Sequence, residues 1–219
     1  HPEHSADTTT AQAVGDSTAR RQPTPGAPPS GTLTMMVTDM VDSTALAERM
    51  GDRRGIDVLG EHNVLVREQV TRHGGTEIKA QGDGFLVVFS SARRAILAAV
   101  DVQRALAHYR DEHPEHPVEV RIGLHTGEIV DVDGDVFGQN VVVAARIADR
   151  AEPGEVVVSA ITRDLTVSGG DLSFGPAQEV ELKGLSLLDQ LWLGTYLVAD
   201  GNPMPAKGRH EFVVLSSDS

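Results

Sequence analysis

Short apolar runs alternate along the chain with longer segments of helical spacing. Residues 33–38 form an apolar run typical of a strand, and residues 118–123 alternate apolar and polar side chains, as expected for a strand with one buried face. Residues 85–89 are a second apolar run, residues 76–80 are a strand-like segment before it, and a Gly-Asp-Gly sequence lies between them. Because Gly tolerates the positive φ of tight turns, this stretch predicts a β-hairpin.

Helical spacing of the apolar positions predicts three helices, over residues 53–73, 92–109 and 141–151. Asp42, followed by Ser and Thr, is predicted to cap a shorter helix before the first of them. The remaining short apolar runs predict further strands at residues 128–132, at residues 155–159 and between residues 172 and 198.

The order of these elements is βα, a ββ hairpin, αββα and a final β. Interleaving with hairpins favours an α+β fold, with a mixed, mainly antiparallel sheet and helices on one face, over a doubly wound parallel sheet. No Gly-x-Gly-x-x-Gly follows a strand, and no Gly-x-x-x-x-Gly-Lys-Ser/Thr occurs. The phosphate-binding loops with those two signatures are therefore absent.

Composition divides the chain into three parts. With 219 residues and 40% hydrophobic content, it can bury one sizeable core, which we assign to residues 31–199. Residues 1–30 are rich in Pro, Thr, Ala and Ser and are expected to be a disordered linker. Residues 200–219 are expected to be a C-terminal tail, although the apolar stretch at residues 211–215 should pack somewhere.

Charge and residue types exclude several classes of function. The formal net charge of −13 argues against binding to nucleic acid or to anionic membranes, because both depend on clustered Lys and Arg. The absence of cysteine excludes disulfides and thiolate chemistry. No apolar run approaches the roughly 20 residues of a spanning helix, and no secretory signal is present, so we expect no membrane insertion and a cytoplasmic location.

Two carboxylates stand out against this background. Asp39 follows the first apolar strand, and Asp83 lies at the tip of the predicted hairpin. If the two strands are neighbours in one sheet, both carboxylates reach the same edge. Paired carboxylates supply the oxygen ligands that Mg²⁺ and Mn²⁺ prefer. Taken singly, each residue has a simpler explanation, a helix-capping Asp and a polar turn residue.

Four segments together resemble the signature segments of class III adenylyl cyclases, in that family's order and spacing. They are VTDMVDST (37–44), KAQGDGF (79–85), RIGLHTG (121–127), and DVFGQ with AARI (within 135–147). The similarity extends over about residues 33–198. It implies a ferredoxin-like βαββαβ core and a homodimer with active sites shared between subunits. It also implies conversion of ATP to 3′,5′-cyclic AMP and pyrophosphate with two Mg²⁺ or Mn²⁺ ions per site.

The resemblance also implies roles for individual residues. Asp39, Asp83 and the backbone carbonyl of Met40 would hold the metals. Arg146 would stabilise charge on the α-phosphate, for which a fork-shaped and always charged guanidinium is suited. Lys183 would contact the terminal phosphates, although a lysine at a strand end needs no function.

Lys79 and Asp135 match the pair that reads the base in this family. Lysine can only donate a hydrogen bond and a carboxylate can only accept one. Adenine offers an acceptor at N1 and a donor at N6, so it fits this pair, whereas guanine offers the reverse order. A solvated lysine and a loop aspartate are the simpler alternatives.

One position departs from the family pattern. Val142 stands four residues before Arg146, where the family has an asparagine that orients the ribose. On a regular helix Asn140 lies about 200° around the axis from Val142, so it substitutes for the asparagine only if the backbone there is irregular or still extended. His125, in an apolar strand, is interpreted as structural.

The valine motivates an alternative function, a low-activity or non-catalytic cyclase-fold module for dimerisation or nucleotide sensing. A diguanylate-cyclase-like enzyme is disfavoured because no Gly-Gly-Asp/Glu-Glu-Phe turn is present.

Overall fold

The computed structural model describes residues 31–132 and 135–174, together with four short strands beyond them. The helices are α1 (Ser43–Met50), α2 (Asp52–Arg72), α3 (Ala92–Glu112), α4 (Gln139–Ala148) and α5 (Ala160–Asp164). The longer strands are β1 (Gly31–Met40), β2 (Thr76–Gln81), β3 (Gly84–Phe89), β4 (Val120–Val132), β5 (Asp135–Phe137) and β6 (Val156–Ser159). The short strands are β7 (Leu172–Ser173), β8 (Val180–Glu181), β9 (Gln190–Leu191), β10 (Leu197–Val198) and β11 (Val213–Leu215).

The main sheet has the strand order β11-β6-β4-β1-β3-β2, and β5 pairs with β4. β1 is antiparallel to both β3 and β4, and β2 is antiparallel to β3, whereas β6 is parallel to β4. The first four strands and their helices follow the chain order β1-α1-α2-β2-β3-α3-β4 within this sheet. This is the predicted ferredoxin-like core in an α+β fold, which the structure confirms.

Helices cover both faces of the sheet, and the expectation that they share one face was wrong. Met36 belongs to the core under α2 and α3, whereas Met35 belongs to a second cluster that includes Ala144 of α4. Because neighbouring strand residues point to opposite faces, α4 lies across the sheet from α2 and α3. The apolar pattern of the 141–151 segment identifies a helix but does not say which face of the sheet it covers.

Several boundaries differ from those predicted. β4 is one continuous strand of 13 residues, where the sequence predicted two separate strands. α4 begins at Gln139, two residues before the predicted start. In the hairpin the positive φ falls on Gly82, at 64°, while Gly84 already belongs to β3. A Cβ on Gly84 would lie 3.1 Å from the Thr38 carbonyl oxygen, so this glycine permits close strand packing rather than the turn itself.

The contact between α4 and β4 depends on a glycine. A Cβ on Gly123 would lie 2.3 Å from the backbone nitrogen of Ala148 and 2.7 Å from the carbonyl oxygen of Ala144. The helix therefore packs directly on the strand backbone. On the other face, the buried Gln103 of α3 donates hydrogen bonds to the carbonyl oxygens of Val120 and Glu155, which fixes α3 against β4 and the start of β6.

Part of the expected C-terminal tail belongs to the sheet. Val213–Leu215 forms β11, which pairs in parallel with β6 at the edge of the sheet. The apolar end of residues 211–215 thus packs beside β6. None of the helices in the described part of the chain is both long and apolar enough to cross a membrane.

Candidate active site

Strand register brings Asp39 and Asp83 to the same end of the sheet. β1 pairs with β3 through Thr38 and Phe85, and the Phe85 amide also donates to the Thr38 hydroxyl at 3.2 Å. Asp39 comes one residue after this pair on β1, and Asp83 comes two residues before it on the hairpin. Both carboxylates are partly exposed, so they are accessible to a cation without the cost of full burial.

A cavity of about 470 Å³ opens beside this end of the sheet, and Asp83 and Met40 line it. The other walls come from α1 and from the first half of α2. They include Ser43, Thr44, Leu46, Ala47, Asp52, Gly55, Ile56 and Leu59. The cavity joins a carboxylate on one side to the start of a helix on the other.

The first turn of α1 faces this cavity through Ser43 and Thr44. Asp42 occupies the N-cap position with φ of 53°, but its side chain makes no capping hydrogen bond, contrary to prediction. The N–H groups of a first helical turn have no partners within the helix and carry the positive end of the helix dipole. This turn is therefore chemically suited to an anion.

Arg121 is an unpredicted neighbour of Asp39. The two residues stand opposite each other in the β1–β4 pairing and form an ion pair. The Nε atom of Arg121 is buried without a hydrogen-bond partner among the described residues. The alternation of residues 118–123 placed Arg121 away from the core correctly, but it could not give the cross-strand register that pairs it with Asp39.

His62 of α2 is a second residue that sequence reasoning missed. Its side chain is buried, with its ring 5.9 Å from that of Phe85. Burial lowers the pKa of His62, while the hydrogen bond with Asn63 and the charge of Asp83 oppose that shift. The apolar spacing of α2 could have indicated that His62 is buried. It could not have shown that the charge of Asp83, at the hairpin tip, acts on the pKa of His62.

The remaining predicted residues lie elsewhere. Lys79 is exposed on β2, the edge strand, after an irregularity in the pairing between Glu77 and Lys79. Arg146 is exposed on α4 and forms an ion pair with Asp149 at 3.1 Å. Asp135 begins β5, and Lys183 lies outside the described residues. The contacts recorded within one chain join Asp39 to Arg121 and Arg146 to Asp149.

Asn140 and Val142 differ sharply in their surroundings. The Asn140 amide donates to the Glu128 carbonyl at 2.8 Å, and its oxygen lies 3.1 Å from Nε2 of His125. Its side chain therefore attaches the start of α4 to β4, and His125 takes part in that contact. Val142 is 48% exposed, on the helix face it shares with Arg146 one turn later.

Comparison with known proteins places this chain in a family. The model of the adenylate and guanylate cyclase catalytic domain matches residues 26–199. The chain belongs to this family. Similar proteins include an uncharacterised protein of Mycobacterium tuberculosis, 36% identical over 141 residues. A putative adenylate cyclase 3 of Rhizobium meliloti is 30% identical over 159 residues. The matched regions cover 63% and 72% of this chain but only 46% and 27% of those relatives.

Solved structures confirm the cyclase fold. An adenylate/guanylate cyclase/hydrolase of Silicibacter pomeroyi has a TM-score of 0.62 at 29% identity, covering 74% of this chain and 94% of that one. The adenylyl cyclase CyaB of P. aeruginosa has a TM-score of 0.65 at 21% identity, covering 81% and 98%. The chain is thus a class III cyclase catalytic domain, a class that is metal-dependent, binds nucleotide substrates and typically dimerises.

Proposed function

We propose that this domain is an adenylyl cyclase that converts ATP to 3′,5′-cyclic AMP and pyrophosphate. The observation that carries the proposal is the register of β1 and β3, which puts Asp39 and Asp83 at the same end of the sheet, where Asp83 lines a cavity that leads to the first turn of α1. The Asp83 carboxylate, suited to a cation, and the first turn of α1, suited to a phosphate, thus line one cavity. A nucleoside triphosphate with divalent metals carries the complementary charges, since its metal ions are positive and its phosphates are negative.

Asp39, Asp83 and the Met40 carbonyl are the groups that would hold two Mg²⁺ or Mn²⁺ ions. Oxygen ligands on partly exposed side chains fit such hard cations. When bound, the ions supply activation of the ribose 3′-hydroxyl and neutralisation of charge on the triphosphate. Asp39 would have to exchange its ion pair with Arg121 for the metal. Lys183 is proposed to contact the terminal phosphates.

Base selection is assigned to Lys79 and Asp135. Lys79 would donate to N1 of adenine, and Asp135 would accept from the N6 amino group. The solvent exposure of Lys79 on an edge strand leaves its ammonium group available to a ligand. Guanine would face both groups with the wrong hydrogen-bonding partner, so ATP rather than GTP is the proposed substrate.

A second copy of the chain would complete each site. In one chain Arg146 pairs with Asp149 and Asp39 pairs with Arg121, so the groups for the α-phosphate and for the metals are not joined. On the α4 side of the sheet, Ile78 and Leu86 are only half-buried. We propose that this surface forms the homodimer contact. Arg146, Lys79 and Asp135 of one subunit would then meet Asp39 and Asp83 of the other.

A product assay tests the function directly. Purified protein is incubated with ATP or GTP under Mg²⁺ or Mn²⁺, and cyclic nucleotide is measured. We expect cyclic AMP from ATP, and a loss of at least about 100-fold in kcat for Asp39→Asn and Asp83→Asn, because each replaces a negatively charged metal ligand with a neutral, weaker one. Asp111→Asn, an exposed change on α3, is the charge-matched control and should retain full activity.

Val142 favours a second candidate, a cyclase domain that binds nucleotide with little or no turnover. It replaces a hydrogen-bonding residue with an apolar side chain on the face that also carries Arg146. ATP binding measured by calorimetry, without cyclic AMP formation under either metal, would favour this candidate. Cyclic GMP formation from GTP alone would contradict the assigned base selection.

A further inference from the structure

A turn immediately after α3 gathers two histidines and a glutamate. His113 and His116 are the first and fourth residues of this turn, and the His116 amide donates to the His113 carbonyl at 3.1 Å. Pro114 follows His113 and restricts the backbone of the turn. One ligand atom from each of His113, Glu115 and His116 lies within 4.8 Å of the other two. Two imidazoles and a carboxylate therefore lie close enough together to share one ligand.

The buried side chain of His116 points into this cluster. Its Nδ1 atom is buried and has no hydrogen-bond partner among the residues that the structure describes. The same atom lies 3.0 Å from Oε1 of Glu115, without the geometry of a hydrogen bond. Burying a polar atom without a hydrogen-bond partner is unfavourable. A ligand at this position would satisfy that atom.

The separations of the ligand atoms fit a metal ion. Oε1 of Glu115 lies 3.0 Å from Nδ1 of His116 and 3.9 Å from Nδ1 of His113. Bonds of about 2.0–2.2 Å to a tetrahedral Zn²⁺ separate two ligands by roughly 3.3 Å, which falls between these values. We propose that His113, Glu115 and His116 form a Zn²⁺ site, with water as the fourth ligand. The two imidazole ligands make this site selective for Zn²⁺ over Mg²⁺. The oxygen ligands proposed at Asp39 and Asp83 instead suit Mg²⁺.

Arg54 of α2 couples this site to the rest of the domain. Its guanidinium lies 2.6 Å from Nε2 of His116. Arginine only donates hydrogen bonds, so Nε2 accepts and the ring proton resides on Nδ1. Binding of Zn²⁺ to Nδ1 transfers that proton to Nε2, and Arg54 must then leave the ring. Glu61, already 3.4 Å from Arg54, is its alternative partner.

Zn²⁺ titration calorimetry on the intact protein tests the site, with excess Mg²⁺ present to saturate the carboxylate site. We expect one Zn²⁺ per chain, and affinity at least tenfold lower in His113→Ala and in Glu115→Gln. Both side chains are substantially exposed, at 37% and 66%, so the variants should fold. His108→Ala is the matched control, since His108 lies on α3 near Glu112, shortly before the turn but outside the cluster, and this variant should bind Zn²⁺ as the wild type does.

Arg54→Gln tests the coupling. This change removes both a positive charge and the group that holds the proton on Nδ1, so Zn²⁺ should bind severalfold more tightly. Co²⁺ substitution should give the visible absorption of a tetrahedral site in wild type and not in His113→Ala. Equal Zn²⁺ affinity in wild type, His113→Ala and Glu115→Gln would overturn the site. Weaker binding in Arg54→Gln would overturn the proton transfer. Cyclic AMP formation under Mg²⁺ is a separate readout, which His113→Ala should leave unchanged.

Discussion

At the scale of single residues, the ion pair between Arg121 and Asp39 sets a competition. A guanidinium occupies the carboxylate that we assign to the metals, and both side chains remain partly exposed. Arg121→Met should therefore strengthen Mn²⁺ binding by about threefold to fivefold, since a partly exposed ion pair is worth up to about 1 kcal/mol. Titration of the Mn²⁺ paramagnetic resonance signal measures this without reference to activity.

Arg163→Met on α5 is the control, because Arg163 pairs with Asp164 away from the candidate site. Weaker Mn²⁺ binding in Arg121→Met would mean that the arginine orients Asp39 for the metal instead of competing with it.

His62 predicts a pH dependence of stability. Its pKa is lowered in the folded protein, chiefly by burial, from a value of about 6.5 in the unfolded chain. As pH falls below about 6.5, the unfolded chain binds the proton first, so the free energy of unfolding decreases until the folded-state pKa is reached. His62→Leu should lose less stability than wild type between pH 7.5 and pH 5.5 in urea denaturation. Equal losses in the two proteins would contradict this.

At the scale of elements, the contact of α4 with β4 is limited by backbone atoms. Gly123→Ala would place a Cβ 2.3 Å from the Ala148 nitrogen, and neither backbone can yield cheaply. We expect a loss of about 3 kcal/mol in the free energy of unfolding, at the upper end of overpacking costs. Activity should fall as well, because α4 carries Arg146.

Gly60→Ala is the same substitution, but we expect it to raise the free energy of unfolding instead of lowering it. Gly60 lies inside α2, is exposed, and has no atom within 4 Å of an added Cβ. Helix propensity predicts a gain of about 0.5–1 kcal/mol. Urea denaturation of both variants gives the comparison, and a similar loss in both would show that the α4 contact is not the cause.

The start of α4 yields a prediction on catalysis. Val142→Asn should raise kcat by about tenfold. One well-positioned hydrogen-bond donor contributes a factor of about 10²–10³ to kcat in other enzymes, and an added side chain is rarely placed as well. Asn140→Ala should instead lower stability by about 1 kcal/mol, since it removes the bond to the Glu128 carbonyl. Steady-state kinetics and denaturation separate the two effects. Lost activity with unchanged stability in Asn140→Ala would make Asn140 the ribose contact.

Periodicity was enough to predict the elements of the core, because an element that buries one face has apolar residues at regular spacing in its own sequence. The alternation at residues 118–123 and the hairpin both appear as predicted. The register between strands that are far apart in the chain cannot be predicted from such local spacing. The pairing of Asp39 with Arg121, the face chosen by α4 and the β6–β11 pairing each depend on residues far apart in the chain. The metal carboxylates were identified from their places after a predicted strand and at a predicted hairpin tip, together with the family resemblance, and their roles stay predictions.

At the scale of the whole molecule, shared sites predict complementation. Asp39→Ala and Arg146→Ala should each be inactive alone, because every site in either homodimer lacks one group. Mixing the two variants should restore activity, since one site of each heterodimer then contains both groups. At equal amounts, half of the dimers are heterodimers with one intact site, so about a quarter of wild-type activity is expected. Inactive mixtures in which heterodimers are detected would contradict shared sites.

The pairing of β1 with β4 also governs how the domain can be synthesised and folded. Gly31 pairs with Ile129 and Met40 with Val120. During synthesis, β1 therefore leaves the ribosome some 80 to 100 residues before the β4 residues with which it pairs. Pairings with such large sequence separation slow folding, because loop closure precedes the contacts that reward it. A nascent chain that ends before β4 leaves the Met36 face and one edge of β1 uncovered. Chaperone dependence and aggregation should therefore be greatest in that interval of translation.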